Sequence, residues 1–372
     1  MSPHTPEQVN QLAAPSVAGN AAPILVVGGC GFIGCNIADS YLNDGEDVIL
    51  LDNLSRPGVD QNLQWLKDHH GDRVHPVLAD VRDLRSIEAA FADAKCVFHF
   101  AAQTAVTTSL AHPIDDFETN ARGTLNVLEA VRKAGRNAPV IFASTNKVYG
   151  SLEGMPIIEL NDRYIPADEE LRAYGVSEER NLDFCTPYGC SKGVADQYVL
   201  DYAKSYGLPT AVLRMSCIYG PRQFGTEDQG WVAHFLIRAL QGEPISIYGS
   251  GKQMRDILHV DDAVAAYRAL LASINRVKGR AFNLGGGPHN AVSIQILLRE
   301  IELLTGRALK TSHRQWRAGD QLFFVADTRL LHETLGWRAQ TSWVDGLRDL
   351  HDWLVAHRFG ATRTERARRL TA

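Results

Sequence analysis

Ile24-Leu25-Val26-Val27-Gly28-Gly29-Cys30-Gly31-Phe32-Ile33-Gly34 is the stretch on which the fold turns. Four apolar residues run straight into a glycine cluster, and a helical pattern follows through Asn36, Ile37, Ala38 and Leu42. A short continuous apolar run is the mark of a strand covered on both faces. Glycines at the junction permit a tight turn and let a pyrophosphate approach the backbone. The free N–H groups and the positive dipole end of the helix then favour the anion. Two registers fit, Gly29-x-Gly31-x-x-Gly34 and Gly28-x-x-Gly31-x-x-Gly34. A glycine motif alone is weak; its place between a strand and a helix gives it weight. Gly28, Gly31, Phe32, Ile33 and Gly34 are the expected phosphate loop of a dinucleotide site.

The same texture continues outward. Val48-Ile49-Leu50-Leu51, Val77-Leu78, Cys96-Val97-Phe98-His99-Phe100, Val140-Ile141-Phe142-Ala143 and Ala211-Val212-Leu213 are further apolar runs. Helical spacing lies between them, for example over 120–133. The alternation predicts an α/β fold of Rossmann type, a doubly wound parallel sheet with helices on both faces. Beyond about residue 220 the pattern is more mixed and punctuated by Gly and Pro, which predicts a smaller C-terminal α/β lobe and a substrate cleft between the lobes. Trp343, Leu347, Leu350 and Leu354 mark a late amphipathic helix. The expected division is a disordered tail over 1–22, a nucleotide-binding domain over 23–215 to which 250–290 returns, a substrate lobe over 216–249 and 291–357, and an Arg-rich tail over 358–372.

Composition excludes other classes. The 372 residues carry 38 Lys and Arg against 43 Asp and Glu, a net charge of −5, which argues against a whole-surface mode of nucleic-acid binding. Arg363, Arg366, Arg368 and Arg369 form only a terminal basic patch, read as a solvated end. No uncharged apolar run approaches the ~18 residues of a membrane span. The first Lys or Arg is Arg56, too late for a secretory or organellar leader. Cys30, Cys35, Cys96, Cys185, Cys190 and Cys217 form no CxxC pair and no metal-ligand spacing. They are expected to be reduced, in a cytoplasmic protein without a metal site.

Asp52 ends the second apolar run, 18 residues after Gly34. A carboxylate there accepts hydrogen bonds from ribose hydroxyls and repels a 2′-phosphate, so NAD is expected over NADP. Arg56 works against that preference; it follows Asn53 and Ser55 on the same loop. Asp80-Val81 is placed to meet adenine.

Tyr188 and Lys192 stand four apart at the start of a helical stretch, which puts both on one face. An ammonium beside a phenol lowers the phenol pKa, so Tyr188 can act as a general base. Thr145 follows the Val140 run, after Ala143, at the carboxyl edge of the sheet, where a hydroxyl meets the substrate; Ser144 alternates to the other face.

Together these residues resemble the extended short-chain dehydrogenases/reductases that act on nucleotide sugars. The resemblance covers roughly 24–350. It rests on the glycine loop, Asp52, Asp80, Ala101-Ala102, Asn120, the Thr145/Tyr188/Lys192 set, Tyr219-Gly220-Pro221, and Arg255-Asp256 before His259-Val260-Asp261-Asp262. Within that group, Ser144-Thr145-Asn146-Lys147-Val148-Tyr149-Gly150, Thr186-Pro187-Tyr188-Gly189-Cys190-Ser191-Lys192-Gly193, and Arg222-Gln223-Phe224-Gly225 through Asp228-Gln229-Gly230-Trp231-Val232 resemble the CDP-paratose 2-epimerases, also called CDP-tyvelose epimerases. The resemblance implies tightly bound NAD, regenerated in each turnover. It also implies transient oxidation of a sugar carbon to a ketone, return of hydride to the other face, C2 as that carbon, and a homodimer or a tetramer built on it. It places Gln103 and Thr104 near the nicotinamide and sugar, Asn53, Ser55, Ala101, Ala102, Asn120 and Ala143 on the cofactor with Tyr188 and Lys192, and Arg255 and Arg317 on the diphosphate. Gln223, Gln229 and Trp231 fall at the nucleobase. Asn146, Ser216, Cys217 and Tyr248 complete the expected substrate set.

Two departures bear on the sugar. Cys217 stands where many 4-epimerases have Asn. Residues 151–185 form a long insertion bearing Asp168, Glu169, Glu170, Glu178 and Glu179, which predicts either a lid or wall over the sugar or a solvated excursion. A 4,6-dehydratase needs an acid and a base after the active Thr, and Asn146-Lys147 supplies neither. A nucleotide-sugar 4-epimerase, a decarboxylase or a reductase on the same fold remains open. A non-catalytic NAD-binding scaffold fits less well, since Thr145, Tyr188 and Lys192 are all present.

Overall fold

A computed structural model describes residues 22–317 and 319–359. The expected tails over 1–22 and 358–372 therefore lie almost wholly outside the described residues. The strands, in chain order, are β1 (Ile24–Val27), β2 (Val48–Asp52), β3 (Val74–Leu78), β4 (Cys96–His99), β5 (Val140–Thr145), β6 (Ile157–Glu159) and β7 (Tyr164–Pro166). They continue as β8 (Thr210–Met215), β9 (Cys217–Tyr219), β10 (Ile245–Tyr248), β11 (Met254–His259), β12 (Arg280–Leu284), β13 (Ala291–Ser293), β14 (Thr311–Arg314) and β15 (Phe323–Phe324).

Seven strands form one parallel sheet in the order β12-β8-β5-β4-β1-β2-β3. The order reverses between β1 and β4, so their connections leave on opposite faces and open a crevice at the carboxyl ends. The apolar runs are continuous because both faces are covered. In β1, Ile24 and Val26 join the core on one face, and Leu25 and Val27 the core on the other. Each such side chain contributes roughly 1.5–3 kcal/mol by its burial.

The second lobe is smaller. β11 pairs antiparallel with β13 and parallel with β15 and β9, while β10 pairs with β14. The segment 250–290 divides rather than returning whole to the large sheet. β11 belongs to the small sheet, whereas the helix Val260–Ala272 packs on the helix Phe32–Asn43 and β12 edges the large sheet. His259 marks the division, and its ring accepts the N–H of Asp261 at the helix start. The end of the chain divides likewise. Leu331 and Trp337 pack into the nucleotide-binding core, and Trp343–Leu354 carries Leu347, Leu350 and Leu354 into the core of the small lobe.

The insertion over 151–185 is not a lid; Asp168, Glu169, Glu170 and Glu179 are exposed to solvent, while its apolar residues pack inward. None of its residues lines the cavity described below. Leu152 and Val176 are buried with Tyr149, Phe324 and Ala326, and Val176 bridges to Ala326. Asn283 at the end of β12 donates through Nδ2 to Val176 O at 2.9 Å and through its N–H to Glu178 at 2.6 Å. The insertion thus braces the small sheet against the large one. Among the described residues no helix is long and apolar enough to cross a membrane.

Candidate active site

The carboxyl ends of β1, β2, β4, β5 and β8 open into a cavity of about 520 Å³ that continues into the small lobe. The glycine loop forms one wall. Gly28 has φ +79°, and a Cβ there would stand 2.5 Å from Ala101 N. A Cβ on Gly34 would overlap Gly28 O. Packing between loop, helix and β4 therefore demands glycine at both positions. The helix Phe32–Asn43 starts without a side-chain cap, and Phe32, Ile33 and Gly34 line the cavity. An uncapped helix start behind a wall of glycines, with a carboxylate at the next strand end, fits a dinucleotide. That carboxylate is Asp52, which accepts from Cys30 N at 3.0 Å and Leu54 N at 2.9 Å. Asn53, Ser55, Arg56, Asp80 and Val81 line the same end. The Arg82 guanidinium beside Asp80 holds that carboxyl down to about 2, and Asn53 donates to it at 2.9 Å.

Thr145 ends β5, and Tyr188 and Lys192 occupy the first turns of the helix Thr186–Ser205; all three are buried and line the cavity. Pro187 sits in the first turn, where its missing N–H costs nothing. The buried face repeats at Tyr188, Ser191, Lys192, Ala195, Val199 and Tyr202, the spacing of a helix packed on a sheet. Burial pushes the Tyr188 phenol up to about 12, while the Thr145 hydroxyl and the Arg56 guanidinium pull the other way. Lys192, one turn on from Tyr188, is anchored on β5. Its Nζ donates to Ala143 O at 2.6 Å and lies 4.1 Å from the centre of the Phe142 ring, and burial brings it down to about 7. Arg56 is a cation whose charge reaches the phenol, and it also donates to Thr104 Oγ1 at 3.1 Å and to Gln229.

Two expected cofactor residues, Gln103 and Asn120, lie behind the wall rather than in it. Asn120 accepts from Gln103 N at 2.8 Å and donates to Gln103 O at 2.9 Å and to Ser191 Oγ at 3.0 Å. Buried Asp116 accepts from Gln103, Asn120 and Ser191. This network ties the loop after β4 to the helix that carries Tyr188. Asp116 gave no local sequence signal.

The remaining expected residues come together. Ala101, Ala102, Thr104, Ala143, Asn146, Ser216, Cys217, Gln223, Gln229, Trp231, Tyr248, Arg255 and Arg317 all line the cavity. Arg255 Nη2 lies 2.6 Å from Asp320, and Arg317 lies 3.4 Å from Asp228 and 3.9 Å from the centre of the Tyr248 ring. Trp231 Nε1 donates to Cys217 Sγ at 3.3 Å, and Gln223 Nε2 to Ile218 O at 3.1 Å. Ser216 donates to the buried carboxyl of Asp256, which burial pushes up to about 6.

Two cations of the cavity were given no binding role in the sequence reading. Lys147 donates through Nζ to Gly319 O at 3.1 Å. Arg222, at φ +73°, lays its guanidinium 3.3 Å from the centre of the Trp65 ring. Lys147 was legible as the residue beside Asn146; the stacking of Arg222 joins distant segments and leaves no local pattern.

The pattern of the NAD dependent epimerase/dehydratase family matches residues 24–285. The CDP-paratose 2-epimerase of Salmonella typhi is 42% identical over 336 residues, covering 89% of this chain and 98% of that protein. The crystal structure of the Thermus thermophilus UDP-glucose 4-epimerase in complex with NAD superposes with a TM-score of 0.75 at 30% identity, covering 90% of this chain and 99% of that one. DesIV, the dTDP-glucose 4,6-dehydratase of Streptomyces venezuelae with NAD bound, superposes with a TM-score of 0.78 at 27% identity, covering 91% and 98%. With strand order, glycine loop and whole-length similarity in agreement, this chain belongs to the NAD-dependent epimerase/dehydratase family of extended short-chain dehydrogenases/reductases.

Proposed function

We propose that this enzyme inverts one ring carbon of a nucleotide-diphosphate sugar, and that the reaction is C2 epimerisation of a CDP-deoxysugar. One observation carries the reading. A single cavity holds the glycine loop and Asp52 at one end, Thr145, Tyr188 and Lys192 in the middle, and Arg255 and Arg317 at the other. Asn146-Lys147 occupies the position where a dehydratase would need its acid and base. The 42% identity to a CDP-paratose 2-epimerase supports the finer assignment, as does the lining of the cavity by Asp228, Gln229 and Trp231.

NAD held against Gly28, Gly31 and Gly34, with Asp52 at its ribose, supplies the hydride acceptor and donor that such an inversion needs. Tyr188 takes the hydroxyl proton and gives it back to the same oxygen. Its buried phenol ionises only with a cation beside it, so charge in the cavity decides its activity. Thr145 hydrogen-bonds the same hydroxyl and fixes its direction. Lys192 holds the end of β5 through Ala143 O and keeps the helix carrying Tyr188 in register. A secondary alcohol oxidised in this way becomes a planar ketone open on both faces, so the walls must let the sugar turn while Arg255 and Arg317 keep hold of the diphosphate.

A homodimer fits the surface as well. Ile114, Phe117 and Tyr198 stand 75%, 50% and 43% exposed on packed helices, and a second copy would cover them.

The test is to denature purified protein, identify the released dinucleotide, and follow CDP-, UDP-, GDP- and dTDP-sugars by NMR in H2O and in D2O. The expected result is NAD(H) released from the protein, inversion at one carbon of a CDP-deoxysugar, and no deuterium at that carbon. Absence of both the dinucleotide and inversion would overturn the reading.

A further inference from the structure

In the substrate half of the cavity the two arginines bring their own counter-charges: Asp320 for Arg255 and Asp228 for Arg317. Lys147 does not. Among the described residues no carboxylate stands within ion-pair distance of its Nζ, and its hydrogen bond goes to the carbonyl oxygen of Gly319 at 3.1 Å. An ammonium has three donors, and even a half-buried charge without a partner is costly. In a cavity that receives an anion, such a cation marks where the anion sits.

Its place along the cavity is also defined. The N–H of Lys147 donates to Thr145 Oγ1 at 3.2 Å. Gly319, which receives the ammonium, lies against Cys185 and Thr186 at the start of the helix that carries Tyr188. Lys147 therefore stands on the side of the reacting hydroxyl. Arg317 stands farther out, bonded to Glu227 O at 3.0 Å and stacked on Tyr248. Arg255 faces Lys147 closely enough for their charges to repel.

Resting on the nucleotide-sugar reading above, we propose that Lys147, with Arg255 beside it, binds the sugar-proximal phosphate of the substrate, which supplies the counter-charge that this ammonium lacks among the described residues. The groups facing Lys147 are Arg255, Asp320, Cys217 and Cys185. Burial, and then Arg255, bring its pKa down to about 8, while Asp320 and the two thiols pull the other way. A phosphate oxygen against the ammonium raises that pKa again. Binding is then strongest below pH 8, where Lys147 is already charged, and weakens as pH rises through 8, because a proton must be taken up.

The test is calorimetric titration of the NAD-containing enzyme with CDP at pH 7 and pH 9. In the native enzyme the affinity is expected to fall about tenfold over that interval, since each pH unit above the free pKa costs about a factor of ten. K147R, charged at both pH values, keeps the affinity and loses the slope. K147M binds about tenfold or more weakly at pH 7, again without a slope. C185S and C217S keep the slope, which separates Lys147 from the thiols facing it. Equal CDP affinity in K147M and native enzyme at pH 7 would overturn the assignment, as would a flat native profile or a slope that persists in K147R. Should K147M fail to fold, K147R decides alone. If the native enzyme bound none of CDP, UDP, GDP or dTDP, the nucleotide-sugar reading itself would fall; if it bound one of them and the Lys147 variants behaved as native, only this inference would.

Discussion

Replacing Arg214 by Met is expected to destabilise the protein by about 3 kcal/mol and to disturb the active site from within the core. Arg214 on β8 and Asp196 on the Thr186–Ser205 helix are both buried, at 5% and 0% exposure. The guanidinium grips the carboxylate with two bonds of 3.0 Å, Nε to Oδ2 and Nη2 to Oδ1, and donates to Tyr149 Oη at 3.2 Å. Removing one partner of a buried pair costs about 3–5 kcal/mol, because the other charge stays in the core without compensation. Asp196 would keep Ser144 Oγ at 2.7 Å and Gln197 Nε2 at 2.9 Å, so the lower end of that range applies. Ser144 adjoins Thr145 and Asp196 lies one turn beyond Lys192, so loss of the pair loosens both catalytic elements together. The assay is urea unfolding followed by circular dichroism, with the midpoint and slope compared to native protein. Adding Asp196→Asn, which removes the stranded charge and keeps the acceptor for Ser144, is expected to recover about 2 kcal/mol. A loss below about 1 kcal/mol for Arg214→Met, or a double variant no more stable than the single, would refute the argument that a stranded carboxylate dominates.

The other expectations are briefer. Tyr188→Phe keeps the ring volume and the released NAD, while turnover falls by about 10²–10⁴; near-native activity would remove Tyr188 as the base. Gly34→Ala forces a Cβ onto Gly28 O, so purified protein should release little or no NAD on denaturation and lose about 1–3 kcal/mol of stability. Full NAD content in that variant would show that the loop can yield. Asp52→Ala removes the carboxylate that repels a 2′-phosphate, and binding measurements should show the preference against NADP relaxed by about tenfold or more. Strict exclusion of NADP by the variant would assign discrimination to another residue.

The nucleotide-binding half was legible because its signals are local. A parallel strand buried on both faces must read as an unbroken apolar run, and a glycine loop must lie between such a run and a helix. Tyr188 and Lys192 were legible because helix periodicity puts positions four apart on one face. The direction of the Lys192 ammonium was not, since that depends on the carbonyl of Ala143 on a different element. Gln103 and Asn120 were placed on the cofactor by resemblance, yet their polar groups are consumed by each other and by Asp116 and Ser191. Which polar group in a cluster meets the ligand depends on which neighbours satisfy it first.

Strand, glycine loop, helix and the Tyr188/Lys192 spacing were determined by the sequence itself, for they follow from backbone sterics and periodicity within about twenty residues. Tertiary structure alone decided three other matters. The 151–185 insertion became a brace because its apolar residues find Phe324 and Ala326, far along the chain. The chain crossed back to the large sheet at His259 because β11 finds its pairing partners in β9, β13 and β15. Lys147 was left without a carboxylate partner among the described residues because Asp320, placed by a distant loop, pairs with Arg255 instead. Burial and pairing are sums over neighbours distant in sequence, and only the folded chain brings those neighbours together.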